Sequence, residues 1–227
     1  MEPLITLTTD FGGESPYVGA MKGVILGLNP RAHIIDLSHH IPPQEILFTA
    51  FFLQSSIPYF PREAIHVVVV DPGVGTDRAL LYVEVDGHRL LAPDNGCWTG
   101  LLGQTFLSGK PVGQTLLSGK PTVIRLTERR FWRPTVSPTF HGRDILAPVA
   151  ARLSLGEDPR SLGTPFDDWL RLEIPSPTIE PDRLVGEVIF IDHFGNLITN
   201  IPGGEFARMS DRQVQILVGD REVLRRV

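Results

Sequence analysis

Between residues 4 and 70 two kinds of apolar pattern alternate in strict order. LITLTT (4–9) is a β-branched run halted by Asp10 and the Gly12-Gly13 pair, the pattern of a strand and a turn. Ser15-Pro16 then reads as an N-cap followed by proline at the first helical position, and YVGAMKGVILGL carries apolar residues at helical spacing. HIIDL (33–37) is a second strand, EILFTAFFLQ after Pro42-Pro43 a second helix, and IHVVVV (65–70) a third strand with no polar face. Strand, helix, strand, helix, strand predicts α/β architecture with a mainly parallel sheet flanked by helices. Ligands of such sheets bind beyond the carboxyl ends of the strands, and Asp10, Asp36 and Asp71 each stand near one.

Past Arg78 the texture changes. ALLYVEVDG and HRLLAPDNG read as an antiparallel pair, and ILAPVAARLSLG after FHGRD as a helix that Pro148 kinks or starts. The region from 156 to 183 is rich in Pro, Asp and Gly and reads as a linker; LVGEVIFID, NLITNI, RQVQILVG and REVLRRV follow as short, evenly spaced strands. The expected organisation is an N-terminal α/β domain over 1–160, a linker over 161–183 and a smaller all-β, barrel-like domain over 184–227. GQTFLSGKPV (103–112) recurs as GQTLLSGKPT (113–122), a tandem duplication suited to a surface loop.

Two motifs suggest phosphate binding and fail on inspection. The repeat resembles a Walker loop but has one residue too many and Pro where Ser or Thr would meet magnesium. VVVVDPGVGTDR (67–78) offers Gly73 and Gly75, but Arg78 occupies the third glycine position and a strand-like segment, not a helix, follows. What that turn does present is a carboxylate, Asp71, and a guanidinium, Arg78, on either side of a bend. His39-His40 lack the spacing of a metal site, and none is expected. With 26 acidic against 21 basic residues and a net charge of -5, nucleic-acid binding is not expected; the arginine-rich RLTERRFWR (125–133) reads as a solvated face. A single cysteine, Cys97, permits no internal disulfide, and Glu2 replaces the positive charge of a signal peptide. The expectation is a cytoplasmic protein without a membrane span.

TTDFG (8–12), SPYVGAMKGVI (15–25), DLSHHIPP (36–43), VVDPGVGTDR (69–78), APDNG (92–96), FHGRDILAPVAA (140–151) and IDHFGNLITNI (191–201) together resemble the S-adenosyl-L-methionine hydroxide adenosyltransferases. These are hydrolases that form adenosine and methionine, related to the fluorinase and chlorinase. The resemblance implies attack of water at C5' of the ribose, with Asp71, Arg78 and His141 as the water-positioning triad. It further implies that Asp10 accepts the ribose hydroxyls, that Asp192 meets the methionine ammonium, and that Asn196, Phe140 and Gly142 contact substrate. No metal or added cofactor is implied, and the site is expected between subunits of a homotrimer. Beside Arg78, the Asp71 carboxyl is expected to be depressed in pKa and a weak base.

The halide-using relatives have tyrosine where Asp71 stands, and the fluorinase has serine where Gly142 stands. A carboxylate at that point repels a halide and orients water, which favours hydrolysis over halide transfer. Family members also continue past GDREVLRRV with a segment that lines the ligand, so the C-terminal domain reads as shortened. A third alternative is therefore a catalytically weak protein that binds SAM or adenosine.

Overall fold

The computed structural model describes residues 3–102, 119–173, 175–209, 214–219 and 221–226. Most of the 103–122 duplication lies outside the described residues. The chain divides into two compact units, one built from residues up to 104 and from 116–172, the other from 105–115 and 173–227.

The first unit contains β1 (Leu4–Thr9), α1 (Tyr17–Leu28), β2 (His33–Ser38), α2 (Ile46–Ser56), β3 (Ile65–Val69), β4 (Leu80–Val85), β5 (His88–Pro93), β6 (Thr122–Leu126), α3 (Ala147–Ser154) and β7 (Gly163–Pro165). The sheet order is β2-β1-β3-β5-β4-β6-β7. β1 pairs in parallel with β2 and β3, and β3 with β5; β4 is antiparallel to β5 and β6, and β7 to β6. Five of the seven strands thus run the same way, which bears out the mainly parallel expectation. Within 161–183, read from sequence as linker, β7 supplies the edge strand of this sheet.

Both faces of the sheet are covered, which is why IHVVVV has no polar side. Val67 and Val69 join Met21 and Ile25 of α1 and Val149 and Ala150 of α3 in one core; Val68 joins Leu53 of α2, Leu81, Val83 and Trp98 in another. Alternate residues of one strand serve opposite layers because side chains alternate along it.

The start of α1 differs from the sequence reading. α1 begins at Tyr17 with Pro16 at the cap and no side-chain cap bond; the Ser15 hydroxyl instead donates to Phe11 O at 3.0 Å. Pro148 lies in the first turn of α3, one of the two places the sequence allowed it, and a π-helical turn at Gly142–Leu146 leads into it; the Asp144 carbonyl below it accepts from Arg133 N at 2.9 Å.

Among the described residues the second unit holds three two-stranded antiparallel sheets: β8 (Thr178–Ile179) with β9 (Leu184–Val185), β10 (Val188–Ile191) with β11 (Leu197–Thr199), and β12 (Val214–Val218) with β13 (Arg221–Arg226). It also contains α4 (Gly203–Met209), a helix that the all-β expectation omitted. No single closed barrel forms among the described residues.

Candidate active site

The bend after β3 is fixed by its backbone. Gly75 has φ +82°, and a Cβ there would lie 2.5 Å from Pro138 O, so glycine answers both a left-handed conformation and a close approach. Gly73 N donates to the Asp71 carboxylate at 3.2 Å, and the Thr76 hydroxyl to Gly73 O at 2.7 Å. The bend returns Arg78 to Asp71: Nη2 lies 2.5 Å from Oδ2, with the two side chains only 8% and 6% exposed. Arg78 is held from behind by donation of Nη1 to Ala79 O at 2.8 Å and Nε to Gly73 O at 3.4 Å. Asn95, on the adjoining turn, donates to Val70 O at 2.8 Å and anchors the end of the strand.

Asp10, Asp71, Phe140, His141 and Gly142 line one cavity of about 110 Å³, together with Gln44. Asp10 follows β1 and accepts from the Gln44 N–H at 2.9 Å, where Gln44 takes the positive φ of 66°. Phe140 forms an edge-on aromatic group with Phe11 (5.7 Å) and the half-exposed Tyr17 (5.1 Å). Gly142 is where the chain presses on the core: a Cβ would meet Val69 Cγ1 at 2.9 Å and Met21 Sδ at 3.3 Å.

The HGRD segment is positioned by Asp144, fully buried beneath it. Asp144 accepts from Arg143 Nε at 2.7 Å, Arg133 Nη1 at 3.0 Å and Ser137 N at 2.9 Å. Ser137 N, two arginines and a buried carboxylate thus fix the loop that carries Phe140 and His141. Sequence reasoning missed Asp144, Gln44 and Asn95 as supports; the adjacent Arg143-Asp144 pair was the available signal.

Asp71 corrects the electrostatic expectation. Burial raises its carboxyl above the ordinary value of 3.8, against the opposing pull of Arg78, so it is a stronger base than the guanidinium alone would leave it. Burial, and secondly Arg78, push His141 below 6.5, and its ring is neutral at neutral pH. His141 Nδ1 is buried without a hydrogen-bond partner among the described residues.

Three other sequence candidates lie elsewhere. Asp36 sits within β2, committed to Lys22 at 2.5 Å and His39 at 3.0 Å. Asp192 and Asn196 belong to the second unit, in the turn between β10 and β11. There Asp192 accepts from Phe194 N at 2.9 Å, Asn196 N at 2.8 Å and Asn196 Nδ2 at 2.6 Å. The turn is built by these bonds, as an Asx turn is.

Residues 5–163 match the family model described as SAM hydroxide adenosyltransferase N-terminal domain, and residues 186–226 that of the C-terminal domain. A protein of Salinispora arenicola named (R)-S-adenosyl-L-methionine hydrolase is 38% identical over 197 residues, covering 86% of this chain and 70% of its own. One of the same name from Methanocaldococcus jannaschii is 40% identical over 209 residues, covering 89% and 68%. The crystal structure of an uncharacterized conserved protein from Thermotoga maritima superposes with a TM-score of 0.84 at 33% identity, covering 96% of this chain and 80% of that one.

Proposed function

The chain belongs to the SAM hydroxide adenosyltransferase family, and from that premise we propose that it is an enzyme hydrolysing S-adenosyl-L-methionine to adenosine and L-methionine. The observation that carries this reading is the buried Asp71–Arg78 pair beside His141 on a cavity that Asp10 also lines.

The chemistry asks little beyond positioning. A water oxygen bonds to C5' as the C5'–S bond breaks, the bonding pair goes to sulfur, and methionine leaves as a neutral thioether. The water gives up one proton. Because the sulfonium is already an activated leaving group, no metal, phosphate or covalent nucleophile is needed. Catalysis rests on holding water within about 3–3.5 Å of the carbon and in line. Asp71 accepts a hydrogen bond from that water and is basic enough to draw off its proton; Arg78 fixes the carboxylate, and neutral His141 gives the water a second partner. Asp10 holds the ribose hydroxyls, with Phe140 and Gly142 flanking the nucleoside.

Asp192 and Asn196 complete the reading as contacts to methionine and nucleoside supplied by a second copy in a homotrimer. The same reading makes the protein cytoplasmic and independent of added cofactor. Incubation with SAM and chromatography test it: adenosine and methionine form in equal amounts, with EDTA without effect. No adenosine above the Asp71→Ala background would defeat it. Asp71 also argues against halide transfer, since a carboxylate stands where a halide would approach; 5'-chloro-5'-deoxyadenosine at high chloride would reverse that choice.

A further inference from the structure

Of the arginine-rich segment 125–133, Arg133 supports the hydrolytic site through Asp144, and the proposed hydrolysis uses neither Arg125 nor Arg129. In the structure the segment borders a second cavity of about 570 Å³, within the 300–1,000 Å³ typical of small-molecule sites. Arg78, Arg125, Arg129 and Arg133 line it against one carboxylate, Asp77. Arg78 is committed to Asp71 and Arg133 to Asp144 at 3.0 Å. Arg125 and Arg129 lie over aromatic faces, of Phe166 at 5.9 Å and Trp132 at 5.7 Å, and although Arg125 lowers the Asp94 carboxyl from a distance, neither makes an ion pair among the described residues.

Two guanidinium groups on one space, neither in an ion pair among the described residues, call for a ligand that is negative and rich in acceptor oxygens. Guanidinium forks match phosphate oxygens, and such charge-assisted bonds are the strong ones. We propose that this cavity binds a phosphate-class oxyanion, free or carried on a small organic molecule, held by Arg125 and Arg129. The site stands on its own lining and does not depend on the hydrolase reading, although His141 borders both cavities.

Calorimetric titration of the full chain with inorganic phosphate, ribose 5-phosphate and ribose tests it. Saturable binding of either phosphate, with none of ribose, is expected, and the stronger of the two identifies the source. Arg125→Gln/Arg129→Gln should weaken that binding roughly tenfold or more, two charge-assisted bonds being removed. Both side chains are exposed, and thermal melting of the variant serves as the control for folding, so the test survives a failure of SAM turnover. Absence of saturable binding by both phosphates, or unchanged affinity in the folded double variant, would overturn the proposal.

Discussion

At the residue scale the Asp71–Arg78 pair decides both chemistry and stability. Burial raises the Asp71 carboxyl and lowers His141, so acid protonates Asp71 sooner than an ordinary aspartate, while His141 resists protonation below its usual 6.5. The expected profile of kcat/KM is flat through neutral pH and falls on acidification in a limb above 3.8, set by Asp71. Asp71→Asn should lose roughly 10²–10⁴ of the rate and with it the limb; a limb that persists at the same pH in the residual activity would assign it elsewhere. Removing the partner tests the pair differently. Arg78→Met leaves a buried carboxylate uncompensated and should cost about 3–5 kcal/mol in urea unfolding at pH 7, much of it recovered by adding Asp71→Asn. The identities of these residues were legible in VVVVDPGVGTDR and FHGRD. The direction of the Asp71 shift was not, because desolvation depends on what covers the side chain, and sequence shows only the neighbouring charge.

At the element scale, β3 ties the site to the core. Val69 is pressed from the cavity side by Gly142, so the turn into α3 and the strand that ends at Asp71 are packed as one piece. Gly142→Ala should overpack this joint and cost about 1–3 kcal/mol in thermal or urea unfolding, and Val69→Ala in the same chain should reduce the cost. Equal stability of wild type and Gly142→Ala would show that the turn yields freely. The same strand carries His66, which is 1% exposed, bonded through Nδ1 to the Thr6 hydroxyl at 2.8 Å and stacked near His88. Burial lowers its pKa from 6.5 to about 3. The unfolded chain therefore binds this proton more readily, and the stability contribution is full above 6.5 and lost as pH falls toward about 3, about 5 kcal/mol at most. Asp71, raised, works in the opposite sense in acid, so the comparison is with His66→Asn. That variant should show a shallower loss of unfolding free energy between pH 7 and pH 4, and parallel curves would rule out His66 as the cause. Strand β3 was legible from its apolar run and β7 was not: three residues, Gly163–Pro165, make a strand only because β6 offers them an edge.

At the scale of the whole molecule, the alternating pattern of residues 4–70 was sufficient for the α/β layers, since each element's period names its own buried face. The second unit was less legible. Its strands are two to six residues long, and a short segment such as Gly203–Met209 shows too few turns for a helical period to stand out. Asp71 belongs to the first unit and Asp192 and Asn196 to the second, and the proposed trimer joins them across copies. That arrangement makes a prediction no single-subunit site shares. Asp71→Ala and Asp192→Ala should each be inactive alone, but co-expressed they assemble mixed trimers. In each mixed trimer an intact Asp71 face meets an intact Asp192 face at one interface of the three, which by random assortment is about one quarter of all interfaces in the population. Adenosine formation should rise from background to about that fraction of wild type, and size-exclusion chromatography with light scattering should show three chains throughout. Mixed trimers that stay at the background of the separate variants would place the whole site within one subunit.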